Sequence, residues 1–333
     1  MQASSPLDST AHRIVRRIQD AGHQAVYAGG CVRDMLRGVV PHDYDIATSA
    51  RPEQIQSLFR RTHAVGAAFG VINVLENNAD FQVATFRCDG VYEDGRRPES
   101  VEFSNAEEDA KRRDFTINGL FFDPIQGELR DYVGGQQDLA KKCIRAIGDP
   151  EARFAEDRLR MLRAVRFATT LDFEIEPATW AAIQKHSAAI HEVSAERIRD
   201  ELLKTLHAPQ RVRGFDLLDA SGLLREILPE MERLKGCQQP PQFHPEGDVW
   251  VHTRLMLSLL PAEVSTPLLL SVLFHDIAKP DTYSLDPAEG RIRFSGHEKL
   301  GAEMTSEILT RLRLPGKDLE ATVEAVLNHM AFK

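Results

Sequence analysis

The sequence has 333 residues, enough for two domains, or three small ones, at about 150 residues each. With 42% apolar and 27% charged residues it can bury real cores, while a net charge of −9 speaks against a general nucleic-acid binder. Four cysteines without a CxxC pair, a longest apolar run of only 268–274, and an N-terminus with no basic-then-apolar pattern exclude membrane-spanning, secreted, fibrous and largely disordered classes. A reduced, cytoplasmic setting is the expectation.

Ala11, Ile14, Val15, Ile18 and Ala21 recur at helical spacing, and Gly22 closes the run. Residues 25–28 read as a short apolar strand leading into Gly29-Gly30, followed by a short helix over 32–37 that Gly38 stops. Tyr44 and Ile46 alternate with Asp43 and Asp45, a strand pattern. Pro52 opens a helix with Ile55, Leu58 and Phe59 on its apolar face. Strands over 71–75 and 81–87 flank the turn Asn77-Asn78-Ala79-Asp80. Residues 88–100 read as a mobile loop, 101–103 as a strand, and Ser104 with Glu107 as a capping box opening a helix. Beyond about 140 the signals are helical, with breaks near Pro209, 236–241 and Pro245, and there is no internal repeat. The pattern predicts a small α/β head and an all-helical body that divides near 236–247.

Two features of the head carry chemistry. Asp43 and Asp45, two apart on a strand, project from one face and could hold one or two Mg²⁺ ions at a phosphate. Alone, such a pair is more often a solvated strand edge. Here Gly29-Gly30-Cys31-Val32-Arg33-Asp34 lies just upstream, where glycines let the backbone approach a phosphate and Arg33 adds a guanidinium.

These segments together resemble the polymerase-β-like head of the bacterial tRNA nucleotidyltransferase and poly(A) polymerase family. Further matches follow in order: Arg112-Arg113-Asp114-Phe115-Thr116-Ile117-Asn118, then Asp131-Tyr132-Val133-Gly134-Gly135 with Asp138-Leu139, then Glu156-Asp157-Arg158-Leu159-Arg160 continuing to Arg163 and Arg166, then Glu196-Arg197-Ile198 with Glu201-Leu202. The likeness covers about residues 12–210. It implies an α+β fold: a head with a mixed or antiparallel sheet over 8–143, a helical neck over 144–207, a helical body or linker over 208–240 and an HD-type helical domain over 241–333, which reads as cut short.

The resemblance implies CCA addition to the tRNA 3′ end from CTP and ATP, by two-metal phosphoryl transfer. Asp43 and Asp45 would be the Mg²⁺ ligands. Gly29, Gly30 and Arg33 would bind the triphosphate, and Arg112, Arg113, Asp114 and Asn118 the ribose and phosphates. Where many relatives carry an acidic residue this chain has Gln82, which leaves a pair rather than a trio of carboxylates. Asp157 and Arg160, three apart and so expected on one helix face, would read the incoming base. A carboxylate accepts from the exocyclic amine shared by C and A, and G and U lack that donor there. Arg163 and Arg166 would extend the same face. The loop at 89–98 favours an enzyme that adds A. The alternatives are an A-adding enzyme or poly(A) polymerase, an HD-type phosphohydrolase, or an inert RNA-binding protein.

Of twelve histidines, His252, His275, His297 and His329 stand out. His275-Asp276 ends an apolar run and resembles the HD phosphohydrolase pattern, implying a second divalent metal on His252, His275 and Asp276. The closing Asp of that pattern is not evident. Finally, 141–166 holds eight basic and four acidic residues, a positive strip for one structured RNA end inside an acidic chain.

Overall fold

A computed structural model of the chain describes residues 6–66, 70–89, 101–286 and 290–331. The charged loop expected over 89–98 lies outside the described residues from position 90 onward. The helices in chain order are α1 (Pro6–Asp20), α2 (Gly30–Leu36), α3 (Pro52–Leu58), α4 (Ala106–Lys111), α5 (Gly135–Ala140), α6 (Pro150–Glu156), α7 (Leu159–Leu171), α8 (Pro177–His186), α9 (Ala195–His207), α10 (Arg211–Ala220), α11 (Leu223–Ile227), α12 (Val249–Leu259), α13 (Thr266–Phe274), α14 (Lys279–Thr282), α15 (His297–Arg311) and α16 (Gly316–Asn328). The strands are β1 (Ala25–Ala28), β2 (Ile46–Thr48), β3 (Thr62–Gly66), β4 (Val71–Glu76), β5 (Ala79–Thr85), β6 (Arg87–Asp89), β7 (Val101–Phe103), β8 (Leu120–Asp123), β9 (Glu128–Asp131), β10 (Cys143–Ile144), β11 (Glu174–Ile175), β12 (Ser284–Asp286) and β13 (Arg291–Arg293). Two compact units result: one of residues 1–157 with 174–179, the other of 158–173 with 180–333.

The first unit is built on a seven-stranded sheet in the order β3-β4-β5-β2-β1-β8-β9. It is the expected mixed sheet: β2 and β5 run parallel and the other neighbours antiparallel. Strand β1 is buried on both faces, which its sequence Ala-Val-Tyr-Ala permits. Tyr27 points into a core with Ile14, Ile18, Ile46, Ile55 and Phe81, while Val26 and Ala28 join Phe86, Ala110 and Phe121 on the opposite face. Asn77 and Asn78 both take positive φ (52° and 61°), so the β4–β5 turn is tighter than read, with Ala79 and Asp80 already paired to Glu76 and Leu75.

Three expectations need correction. Asp43 and Asp45 lie just before β2 rather than on it. Helix α4 is capped by Asn105, whose side chain accepts from Glu108 N, and not by a Ser104–Glu107 box; asparagine one residue later captures the first-turn amide. The second unit is not wholly helical, because β12 and β13 form a short antiparallel hairpin.

Candidate active site and candidate metal centre

In the first unit, the β1–α2 turn, the segment before β2 and the α4–β8 connection meet. Gly29 has φ +72°, a backbone shape that favours glycine, and a Cβ there would press on the end of the Arg113 side chain (2.8 Å from Nη1). Gly30 follows at the start of α2. Buried Arg33 grips Asp34 through Nε and Nη2 (2.9 and 3.1 Å) and donates from Nη1 to Asn118 Oδ1 (2.8 Å). Asn118 in turn donates to Asp114 Oδ1 (3.1 Å). One network therefore fixes four of the residues singled out in the sequence.

Arg112 and Arg113 are positioned by a residue that sequence reasoning misses. Asp109, 1% exposed, accepts from Arg112 Nε (2.9 Å) on one oxygen and from Arg113 Nη2 (3.0 Å) on the other. Its spacing of three and four residues from those arginines is the signal that could find it. Burial opposes its charge, but Arg113 and Arg112 together hold its carboxyl below the usual carboxylate range. The segment is braced from behind as well. Asp131 accepts from the backbone N–H groups of Val133, Gly134, Gly135 and Gln136, and buried Asp138 accepts from Thr116 Oγ1 (2.7 Å). A Cβ on Gly135 would meet Thr116 O at 2.2 Å. The Asp-x-x-Gly-Gly stretch is thus a support for the Arg-Arg-Asp segment.

Replacing Asp109 by Asn is expected to cost about 3 kcal/mol, the order found when one partner of a buried ion pair is removed. The carboxyl's depressed pKa sets the sign with pH. Its contribution is present above the unfolded value of about 3.9 and is lost as pH falls through the folded value. Urea unfolding of both proteins at pH 7 and at pH 3 checks this: the gap should narrow at the lower pH.

Asp43 is exposed and Asp45 half-buried, with Tyr44 between them turned into the core against Tyr27 (5.0 Å between rings). Burial and then the charge of Asp43 raise the Asp45 pKa, against a lowering by Arg113. Two carboxylates under mutual repulsion beside a glycine turn are a fitting donor set for a hard divalent cation. Gln82 is exposed on β5, and its neutral amide adds no third carboxylate.

Asp157 does not share a helix with Arg160. Asp157 has extended backbone (φ −146°, ψ 105°) at the end of α6, and α7 begins only at Leu159. Arg160 is buried on α7. Arg166 donates from Nε to buried Glu201 Oε2 on α9 and lies 4.0 Å from the centre of the Phe167 ring; Arg163 lies 5.3 Å from the same ring.

The second unit holds a histidine–aspartate centre. His252 Nε2 and His275 Nε2 are 3.2 Å apart, and both approach Asp276 Oδ2 (3.8 and 3.2 Å). His297 Nε2 and His329 Nε2 are 3.1 Å apart and approach the other oxygen, Oδ1, at 3.5 and 3.8 Å. The expected trio is therefore assembled, and His297 and His329, to which the sequence assigns no ligand role, complete a second set sharing Asp276. Lys279 Nζ pairs with Oδ2 at 2.8 Å.

The donor set fits divalent metal. The Nδ1–H groups of His297 and His329 donate to Phe294 O (2.7 Å) and Val326 O (2.6 Å), so in the neutral rings two lone pairs face each other across 3.1 Å. Burial holds the His252 and His329 pKa values below the ordinary one. Asp276, although burial opposes its charge, is kept far below the carboxylate range by His275 and Lys279. Its buried Oδ2 is held by the Lys279 charge at 2.8 Å, yet no contact to it among the described residues has the angles of a hydrogen bond. The centre opens on a cavity of about 800 Å³ walled partly by Arg291, Arg293 and Phe294.

Comparison with known proteins agrees with this layout. Residues 25–145 match the family described as "Poly A polymerase head domain", 172–235 "Probable RNA and SrmB- binding site of polymerase A", and 252–333 "HD domain". A CCA-adding enzyme of Latilactobacillus sakei is 40% identical over 266 residues, covering 78% of this chain and 66% of the relative. One of Streptococcus pyogenes is 45% identical over 208 residues, 62% of this chain and 52% of the relative. The chain thus spans about half to two thirds of the length of these curated relatives. The crystal structure of the Bacillus stearothermophilus CCA-adding enzyme in complex with CTP superposes with a TM-score of 0.61 at 28% identity, covering 98% of this chain and 94% of that one. No helix among the described residues is long and apolar enough to cross a membrane. With a poly(A) polymerase head, an RNA-binding segment and an HD domain in that order, the chain belongs to the tRNA nucleotidyltransferase and poly(A) polymerase family.

Proposed function

We propose that the chain is a template-independent nucleotidyltransferase that adds C and A, from CTP and ATP, to the 3′ end of tRNA. The observation that carries this reading is the Asp43/Asp45 pair beside the Gly29–Arg33–Asn118–Asp114 network, inside the segment that matches the polymerase head. The names of the relatives, CCA-adding enzymes, support the choice of nucleotides and acceptor.

In this reading 8–143 form the catalytic head, 144–207 a nucleotide-reading neck, 208–240 a body and 241–333 the HD-type domain. Asp43 and Asp45 would hold Mg²⁺, which supplies charge neutralisation at the phosphates and a more acidic 3′-hydroxyl. Gly29 and Gly30 let the backbone approach the triphosphate. Arg33, Arg112 and Arg113 orient it, each already aligned by a carboxylate, and Asn118 and Asp114 hold Arg33 in place for the ribose side. Asp157 and Arg160 would read the edge of the base, and Arg163 and Arg166 would add cationic contacts to the nucleotide. The four free cysteines support a reduced, cytoplasmic setting.

The test is incubation with tRNAs ending before CCA, after C and after CC, with each nucleotide supplied singly. Two C additions followed by one A are expected, with no use of GTP or UTP. Addition of A only to the CC end would make the enzyme A-adding, and long A tracts on any acceptor would make it a poly(A) polymerase. Asp157→Ala should admit GTP or UTP about tenfold better relative to CTP, the order of one lost base-edge contact of about 1–3 kcal/mol. Unchanged nucleotide choice would remove Asp157 from base reading.

A second activity is favoured by the histidine–aspartate centre. His252, His275, His297, His329 and Asp276 would hold one or two divalent ions for hydrolysis of a phosphoester admitted to the adjoining cavity. Manganese, nickel, iron and magnesium all suit such ligands.

A further inference from the structure

Three of the four histidines that surround Asp276 are oriented by backbone. His275, His297 and His329 donate from Nδ1 to the carbonyls of Val272 (2.8 Å), Phe294 (2.7 Å) and Val326 (2.6 Å), each three residues earlier. Their ring directions therefore follow from local chain geometry alone. His252 is different. Its Nδ1 faces Glu246 Oε1 at 2.6 Å, a side chain that precedes α12. The same oxygen accepts from His244 Nδ1 (3.1 Å).

Glu246 belongs to the stretch 235–248, which the sequence suggests is only a Pro/Gly-rich break. In the structure this stretch closes on itself. Gly236 N donates to Asp248 Oδ2 (2.7 Å), Val249 N donates to Cys237 O (3.0 Å), and Asp248 Oδ1 accepts from Val251 N to cap α12. The stretch also buries Gln239, whose Oε1 accepts from Lys279 Nζ (2.6 Å), the cation that pairs with Asp276. One loop thus aligns two groups of the centre, His252 through Glu246 and Lys279 through Gln239.

We propose that this loop is the outer shell of the metal centre and that Glu246 is a positioning residue: it holds His252 as the Nδ1–H tautomer with Nε2 turned to the metal. The proposal rests on the reading of the His/Asp cluster as a divalent-metal site. A carboxylate behind a ligand histidine fixes its ring and raises its basicity, and removing such a partner typically weakens metal binding about 10–100-fold. Because His252 belongs to only one of the two ligand sets on Asp276, the loss should fall on one ion.

The experiment is titration of the full chain with Mn²⁺, followed by calorimetry and by the electron-spin signal of free Mn²⁺, with thermal melts of the metal-free proteins alongside. Glu246→Ala is expected to lower one affinity about 10–100-fold, leaving any second affinity and the metal-free melting temperature unchanged. Glu246→Gln keeps an oxygen for the Nδ1–H and should recover most of the loss, while His244→Ala should leave Mn²⁺ binding as it is. An unaltered affinity in Glu246→Ala overturns the proposal. So does a lowered metal-free melting temperature, no recovery by Gln, or an equal loss in His244→Ala, which would make His244 and Glu246 ligands themselves. No Mn²⁺ bound by the unaltered chain would overturn the metal reading itself and this proposal with it.

Discussion

Asparagine in place of Asp45 is expected to stop the proposed nucleotide addition while leaving the head folded. The backbone at this position is held independently of the side chain, because Asp45 O accepts from Ala28 N (2.9 Å). Asparagine has the same shape, and its arrival removes a charge that burial and Asp43 disfavour. The melting temperature should therefore hold or rise slightly. The chemistry should not survive: a metal-held phosphoryl transfer draws several kcal/mol of transition-state stabilisation from its ion. At 1.36 kcal/mol per decade, a loss of about 4 kcal/mol slows the step about 10³-fold. Single-turnover incorporation of CTP into a tRNA lacking CCA measures it. A rate within tenfold of the unaltered protein would mean that Asp45 does not hold the ion.

The second large effect is expected in the other unit. Asp276→Asn should empty both ligand sets at once, because Oδ2 serves His252 and His275 while Oδ1 serves His297 and His329. It also removes the charge paired with buried Lys279, which keeps only its bond to Gln239 Oε1, at a cost of about 3 kcal/mol in stability when the metal-free forms are compared. His329→Ala takes a ligand from one set only and should leave one ion bound. Equilibrium dialysis with Mn²⁺ distinguishes the two variants by stoichiometry. A full-affinity ion retained by Asp276→Asn would show that the carboxylate is not shared. Nucleotide addition by both variants should stay near the unaltered rate, since no head residue is touched. Its loss in a folded His329→Ala would overturn the assignment of addition to the head alone.

Much of the head is legible in the sequence because its signals are local. A positive-φ turn needs glycine at position 29, and two asparagines of positive φ make the β4–β5 turn. Proline opens α3, and four apolar residues make β1. Sequence and structure part where two local signals compete. Ser104 and Asn105 are both good caps, and only the packing of Ala106 and Ala110 under the sheet chooses between them. Asp157 and Arg160 have helical spacing, yet the chain breaks between α6 and α7. The role of Asp109 is written in spacings of three and four, but the Arg-Arg-Asp run beside it is the stronger signal.

Residue types and their spacing alone name the chemistry present: paired carboxylates near a glycine turn, a run of arginines at a helix end, and a His-Asp step closing an apolar helix. Which group orients which becomes visible only in the folded chain. His252 meets His275 across 23 residues and His297 meets His329 across 32, and a stretch with the composition of a spacer supplies Glu246 and Gln239 to the centre. Residue periodicity records which face of an element is buried, over one or two turns of chain. It holds no information on which helix ends converge, because that is set by how several apolar faces share one core.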